Sequence, residues 1–83
     1  MPYFVYMIVT NNNGKKISYI GFTNNLSKRL DLHNKSKGAK FTRGRKWNLI
    51  YHLKFKNKIS ALKYEYKLKK NYKLRNGIKE KYS

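Results

Sequence analysis

The 83-residue sequence predicts an α+β domain, a small sheet of three strands with helices in the order β-β-α-β-α. Three observations carry this reading. Two aromatic, β-branched runs flank Asn11-Asn12-Asn13-Gly14, the pattern of a β-hairpin. A third alternating run occupies 47–55, while two stretches, about 25–34 and 57–71, switch to helical spacing of their apolar residues. Finally, a hydrophobic fraction of 40% with eight Tyr, four Phe and one Trp supplies a core, so the charged fraction of 29% does not imply disorder. So short a chain buries only somewhat over ~60% of its unfolded surface. Its expected stability is on the order of 5 to 10 kcal/mol.

In the first strand, Tyr3 to Thr10, residues Tyr3, Val5, Met7 and Val9 alternate with Phe4, Tyr6 and Ile8. Neither set is polar, so both faces are expected to be covered. Lys16 to Phe22 returns as the second strand. A four-residue loop, 11–14, places Tyr6 opposite Tyr19, whereas a two-residue Asn13-Gly14 turn places Ile8 there. Either register leaves the two tyrosines on one sheet face.

Asn24 or Asn25 caps a helix to about Asn34. Its inward stripe, Leu26, Arg29, Leu30 and His33, contains two polar residues where apolar ones are the rule. Lys35 to Lys46 is a basic, glycine-containing run with no acid and no regular period, read as an exposed arm. Trp47 to Phe55 forms the third strand, with Leu49, Tyr51, Leu53 and Phe55 on one face. Asn57 or Ser60 starts the last long helix, to about Asn71, with Ala61, Leu62, Leu68 and Tyr72 as its apolar arc and Glu65 inside that arc. The segment after Tyr72 is a basic tail with a turn or cap signal at Asn76-Gly77. One domain spanning 1–83 is expected.

Lys and Arg total 21 against three acids, a formal net charge of +18. Such a balance points to a polyanion, and nucleic acid fits best because each neutralised phosphate releases counterions. A membrane surface fits less well, since the aromatics lie in strand-like segments and not along one basic amphipathic helix. The apolar N-terminus has no basic leader or small-residue cleavage site and is too short to span a bilayer, so a cytoplasmic, nucleic-acid-associated protein without membrane partners is expected. Absence of cysteine excludes disulfides, thiolate zinc sites and thiol nucleophiles.

With only Asp31, Glu65 and Glu80 available, a two-metal hydrolase is disfavoured. One ion on Glu65, completed by waters and substrate phosphate, suits magnesium. Asp31 and Glu80 read as surface ion-pair partners. Arg29 cannot serve as a base, but a guanidinium can stabilise charge on an attacked phosphodiester. His33 can accept a proton near neutral pH or cap its helix. The hydroxyls of Tyr6 and Tyr19 can bind phosphate, or one can take a proton from water.

Phe4-Val5-Tyr6, Tyr19-Ile20-Gly21, the run from Thr23 through Leu26, Arg29 and Leu30 to His33-Asn34, and Ala61 with Glu65 together resemble the GIY-YIG nuclease domain. They resemble above all its small single-domain members, related to the catalytic subunit of branched-DNA nucleases. The resemblance covers Tyr3 to about Asn71. It implies a three-stranded antiparallel sheet flanked by helices and metal-dependent cleavage of DNA. It assigns catalytic roles to Tyr6, Tyr19, Arg29, His33 and Glu65, with Glu65 holding Mg2+ or Mn2+. Phe4 and Val5 stand where the first motif has Gly and Ile, a departure the tyrosine's role tolerates. An asparagine found beyond the glutamate in some members has no assigned counterpart here. The basic arm also resembles the corresponding loop. Lys37, Lys40, Arg43, Arg45 and Lys46 are expected to track a nucleic-acid backbone, and Phe41 or Trp47 to stack on a base. Selectivity is expected from the arm, a partner protein or self-association. The alternative is a non-catalytic nucleic-acid-binding protein, either a ribosomal-type basic domain or a module of this family without turnover.

Overall fold

The chain pairs its β-branched and aromatic runs into one antiparallel sheet: β1 (Tyr3–Asn12) lies between β2 (Lys15–Thr23) and β3 (Asn48–Phe55). Helices α1 (Leu26–Asn34), α2 (Lys58–Lys70) and α3 (Tyr72–Tyr82), with a 3-10 turn at Lys40–Thr42, complete the fold. This architecture comes from a computed structural model describing residues 2–82. The central position of β1 explains its two apolar faces, and every residue from Val5 to Thr10 is buried.

Asn13 and Gly14 both take positive φ, 54° and 82°, the backbone of a two-residue hairpin turn. The turn sets the register with Ile8 opposite Tyr19 and Tyr6 opposite Gly21, the shorter of the two loops expected. On one face Val5, Met7 and Ile20 pack with Ala61, Leu68 and Ile78 from α2 and α3. On the other, Tyr6, Ile8 and Tyr19 pack with Trp47 and with Leu26 and Leu30 of α1.

In β3 the expected single-face set is split. An irregularity at Met7/Ile8 pairs Met7 with Tyr51 but Ile8 with Leu49, passing over Ile50. One extra residue reverses the side-chain alternation. Leu49 therefore joins Ile8 and Trp47, while Tyr51 and Phe55 join the Met7 cluster.

Asn25 caps α1, its side chain accepting from Lys28 N at 3.1 Å, and Asn57 caps α2 through Ser60 N at 2.8 Å. The buried arc of α2 is Ala61 and Leu68, with Tyr64 packed beside them. Leu62 and Tyr72, expected in that arc, are exposed. Leu62 lies one helical step around from Ala61, and Tyr72 falls beyond a break at Asn71, where the backbone leaves the helical region.

That break turns the expected basic tail into a helix. Asn71 accepts from Leu74 N at 3.0 Å, and Ile78 reaches the core with Leu74 packed against it. Asn76-Gly77, expected to be a cap or turn, lies inside α3. A glycine costs a helix about 1 kcal/mol, and the cap together with two anchored apolar residues offsets it.

The arm is a second departure, because it is anchored in the core while Lys37, Lys40, Phe41, Arg43 and Lys46 stay exposed. Thr42 and Trp47 are buried. Asn34 holds the returning chain from both sides: Trp47 N donates to its Oδ1 at 2.6 Å, and its Nδ2 donates to Trp47 O at 3.2 Å.

Candidate active site

The hairpin register brings Tyr6 over Gly21. A Cβ on Gly21 would stand 2.5 Å from the Tyr6 hydroxyl, so only glycine leaves room for the ring. Helix α1 crosses this face and presents Arg29 and His33 one turn apart. Tyr6 Oη lies 2.7 Å from His33 Nε2, and the Tyr19 ring meets the imidazole edge-on, with centroids 5.2 Å apart. Arg29 hydrogen-bonds the Tyr6 side chain.

The direction of these bonds follows from the far side of the imidazole. Thr42 Oγ1 donates to Ala39 O at 2.9 Å, and a hydroxyl has one proton to give. Thr42 must therefore accept from His33 Nδ1, 2.8 Å away. Nδ1 carries the proton, Nε2 is bare, and Tyr6 donates to it. The chain Tyr6 to His33 to Thr42 to Ala39 is thus polarised in one direction. A Cβ on Gly38 would lie 2.5 Å from Nδ1, so the loop passes against the ring without a side chain. Trp47 Nε1 donates to Thr42 O at 2.9 Å, locking the loop.

Burial pushes the Tyr6 hydroxyl up to about 12; the Arg29 hydrogen bond and charge pull it down, while Tyr19 and Glu65 push it up. Burial and then Arg29 lower the pKa of His33 below its ordinary 6.5, so the imidazole is neutral at pH 7. Glu65 arrives on α2, and its charge is felt at Tyr6. Its side chain is 16% exposed and its ion pair with Lys69 is long, 3.5 Å. Among the described residues no three His, Asp or Glu side chains converge. A lone carboxylate would suit an ion that takes most of its ligands from water and phosphate, as magnesium does, and Glu65 is the residue that would hold it.

The five residues named for chemistry thus include four on one face: Tyr6, Tyr19, Arg29 and His33. Asp31 forms the expected exposed pair, 2.9 Å from Lys35, and Glu80 is exposed. Lys37, Lys40, Arg43 and Lys46 are exposed, Arg45 is half-buried, and the Arg45 guanidinium lies 5.5 Å from the centroid of Phe41. Phe41 is 51% exposed, whereas Trp47 is a core residue and is unavailable to a base. Thr42 and Gly38 escaped sequence reasoning. Their signal, a threonine and a glycine inside a basic run, becomes meaningful only once the run folds back onto His33. Among the described residues no helix is long and apolar enough to cross a membrane.

Residues 2–79 match the family model described as the GIY-YIG catalytic domain. The UPF0213 protein OB0043 of Oceanobacillus iheyensis is 50% identical over 61% of this chain and 60% of its own length. The UPF0213 protein SH2523 of Staphylococcus haemolyticus is 35% identical over 81% of this chain and 79% of its own. The solution NMR structure of the UPF0213 protein BH0048 from Bacillus halodurans superposes with a TM-score of 0.51 at 32% identity, covering 93% of this chain and 80% of that one. The aligned part spans 60%, 54% and 66% of the lengths of three of the curated relatives.

Proposed function

The chain belongs to the GIY-YIG family, among the small UPF0213 proteins, and we propose that it is a metal-dependent DNA endonuclease acting through Tyr6, Tyr19, Arg29, His33 and Glu65. The observation that carries this reading is the Tyr6 hydroxyl. It receives a hydrogen bond from a guanidinium and gives its own proton toward a bare imidazole nitrogen. A buried tyrosine with a raised pKa is a poor base alone. Next to a neutral imidazole, it can take a proton from water while passing its own to His33 Nε2. Thr42 fixes the tautomer this transfer needs, and the Nδ1–H bond steadies the imidazolium that forms.

Arg29 neutralises charge that grows on the phosphate as water adds, a preorganised contact that costs no rearrangement. Tyr19, packed against His33, holds the imidazole plane and offers a second hydroxyl to phosphate. When bound at Glu65, magnesium or manganese supplies charge neutralisation at the phosphate and the leaving oxygen. The surrounding excess of 21 Lys and Arg over three acids supports a nucleic-acid substrate.

The test is cleavage by purified protein of single-stranded, duplex, flap and four-way-junction DNA with magnesium, manganese or EDTA. Metal-dependent cutting is expected, with Glu65→Ala abolishing turnover while DNA affinity stays within a few-fold. Binding without cleavage under every divalent metal would sink the enzyme reading and leave a non-catalytic nucleic-acid-binding module.

A further inference from the structure

An aromatic series leads away from the reaction centre. His33 meets Tyr19 edge-on at 5.2 Å, and Tyr19 lies nearly parallel to Phe41, with centroids 6.1 Å apart and planes 21° from one another. Phe41 is backed by buried Trp47, 6.2 Å away, and by the Arg45 guanidinium. Held from these sides and locked by the neighbouring Thr42, Phe41 still exposes 51% of its surface. The ring is thus held in place with part of its surface open to a planar partner.

Phe41 and Tyr19 line an open cleft of about 370 Å³ along the free edge of β2, together with Ser18, Ile20, Lys69 and Arg75. The two sides have different chemistry. The arm contributes a flat apolar ring, and the helices of the opposite sheet face contribute two cations. Lys69 is 52% exposed and holds Glu65 only at 3.5 Å, so a phosphate can compete for it. Arg75 is anchored through Nη1 to the carbonyls of Leu68 and Lys69, and a guanidinium has further N–H donors. A flat π-face beside an anion is the description of a nucleotide.

We propose that this cleft takes an unpaired nucleobase next to the scissile phosphate, stacked on Phe41 and Tyr19, with its backbone met by Lys69 and Arg75. The substrate class is then a strand with an unpaired nucleotide at the cleavage position: a single strand, a flap or a gap. A paired base inside a duplex has no free face to offer. The proposal rests on the nuclease reading for the position of the phosphate, but it concerns binding and is tested without turnover.

The probe is a single-stranded oligonucleotide carrying one 2-aminopurine, titrated in EDTA so that no cleavage occurs. Stacking on the ring quenches its fluorescence. Phe41→Ala is expected to lower single-strand affinity on the order of 10- to 100-fold, the range for one lost base–aromatic stack, and to abolish the quench. Phe41→Trp restores both, and duplex affinity stays within about twofold. Unchanged single-strand affinity in Phe41→Ala, or an equal loss on duplex, would overturn the proposal. If the protein never cuts but the single-strand effect holds, the cleft stands and the nuclease reading falls. If it cuts and Phe41→Ala is indifferent, the reverse follows.

Discussion

His33 Nε2 accepts the Tyr6 proton only while the imidazole is neutral. Burial and Arg29 both favour that form by lowering the folded-state pKa. The sign of the linkage follows. Below the unfolded value of about 6.5, the unfolded chain takes up a proton that folded His33 resists, so acid favours unfolding. The associated stability is present above about pH 6.5 and is lost as pH falls through the folded pKa. Carboxylates usually dominate such profiles, but this chain has three acids, so the histidine signal is readable. The urea midpoint is expected to fall between about pH 7 and pH 5.5 in the native sequence, and to change little over that interval in His33→Gln. An equal pH response in both would remove His33 as its source. Tyr6 shows the opposite arrangement: its raised pKa contributes stability below about pH 10 that is lost as pH rises through about 12.

At the scale of elements, α2 has to do two things with one face. Ala61 and Leu68 are fully buried and fix the helix on β1 and β2. Glu65 sits between them and carries the carboxylate, with Lys69 beside it in the cleft. Positioning of the carboxylate therefore depends on apolar contacts one turn away. Leu68→Ala is expected to cost about 2 to 5 kcal/mol, as buried leucine truncations do. Leu62→Ala, at 37% exposure, should cost under about 1 kcal/mol. Urea denaturation of the two variants checks the assignment of the arc, and equal losses would contradict it. Helix α1 divides its work similarly: Leu26 and Leu30 hold it down while Arg29 and His33 face Tyr6.

Across the whole molecule, a net charge of +18 is spread over a body of 37 × 29 × 19 Å. Repulsion of that size opposes folding in the free protein and favours any polyanion. Binding to single strands should weaken steeply with salt, with a log–log slope near −0.7 per phosphate neutralised. Exchanging Lys40 and Arg43 for Gln should flatten that slope by about 1.4 if both arm residues meet phosphates. An unchanged slope would place the arm outside the interface. Phe41, in the same loop, is proposed to meet a base, so Phe41→Ala should leave the slope as it is. Charge and stacking are thereby separable within three residues of one another.

The amino-acid sequence carries the order of the first five elements, β-β-α-β-α, because alternation, helical spacing and Asn caps are local signals, but not the final helix α3. It also determined the polar stripe of Arg29 and His33 and the shared face of Tyr6 and Tyr19, since both follow from period and register. Tertiary structure decided the rest. An irregular pairing in β3 sent Leu49 and Tyr51 to opposite faces, and a break at Asn71 made a helix of the basic tail. The basic arm looked like open loop because charge density marks it as solvated. It is instead pinned by the bonds of Thr42 to His33 and of Trp47 to Asn34, whose partners lie 9 and 13 residues apart and leave no periodic trace. The direction of the proton chain from Tyr6 was likewise undetermined until Thr42 met His33, because a tautomer is set by the partner on the far nitrogen.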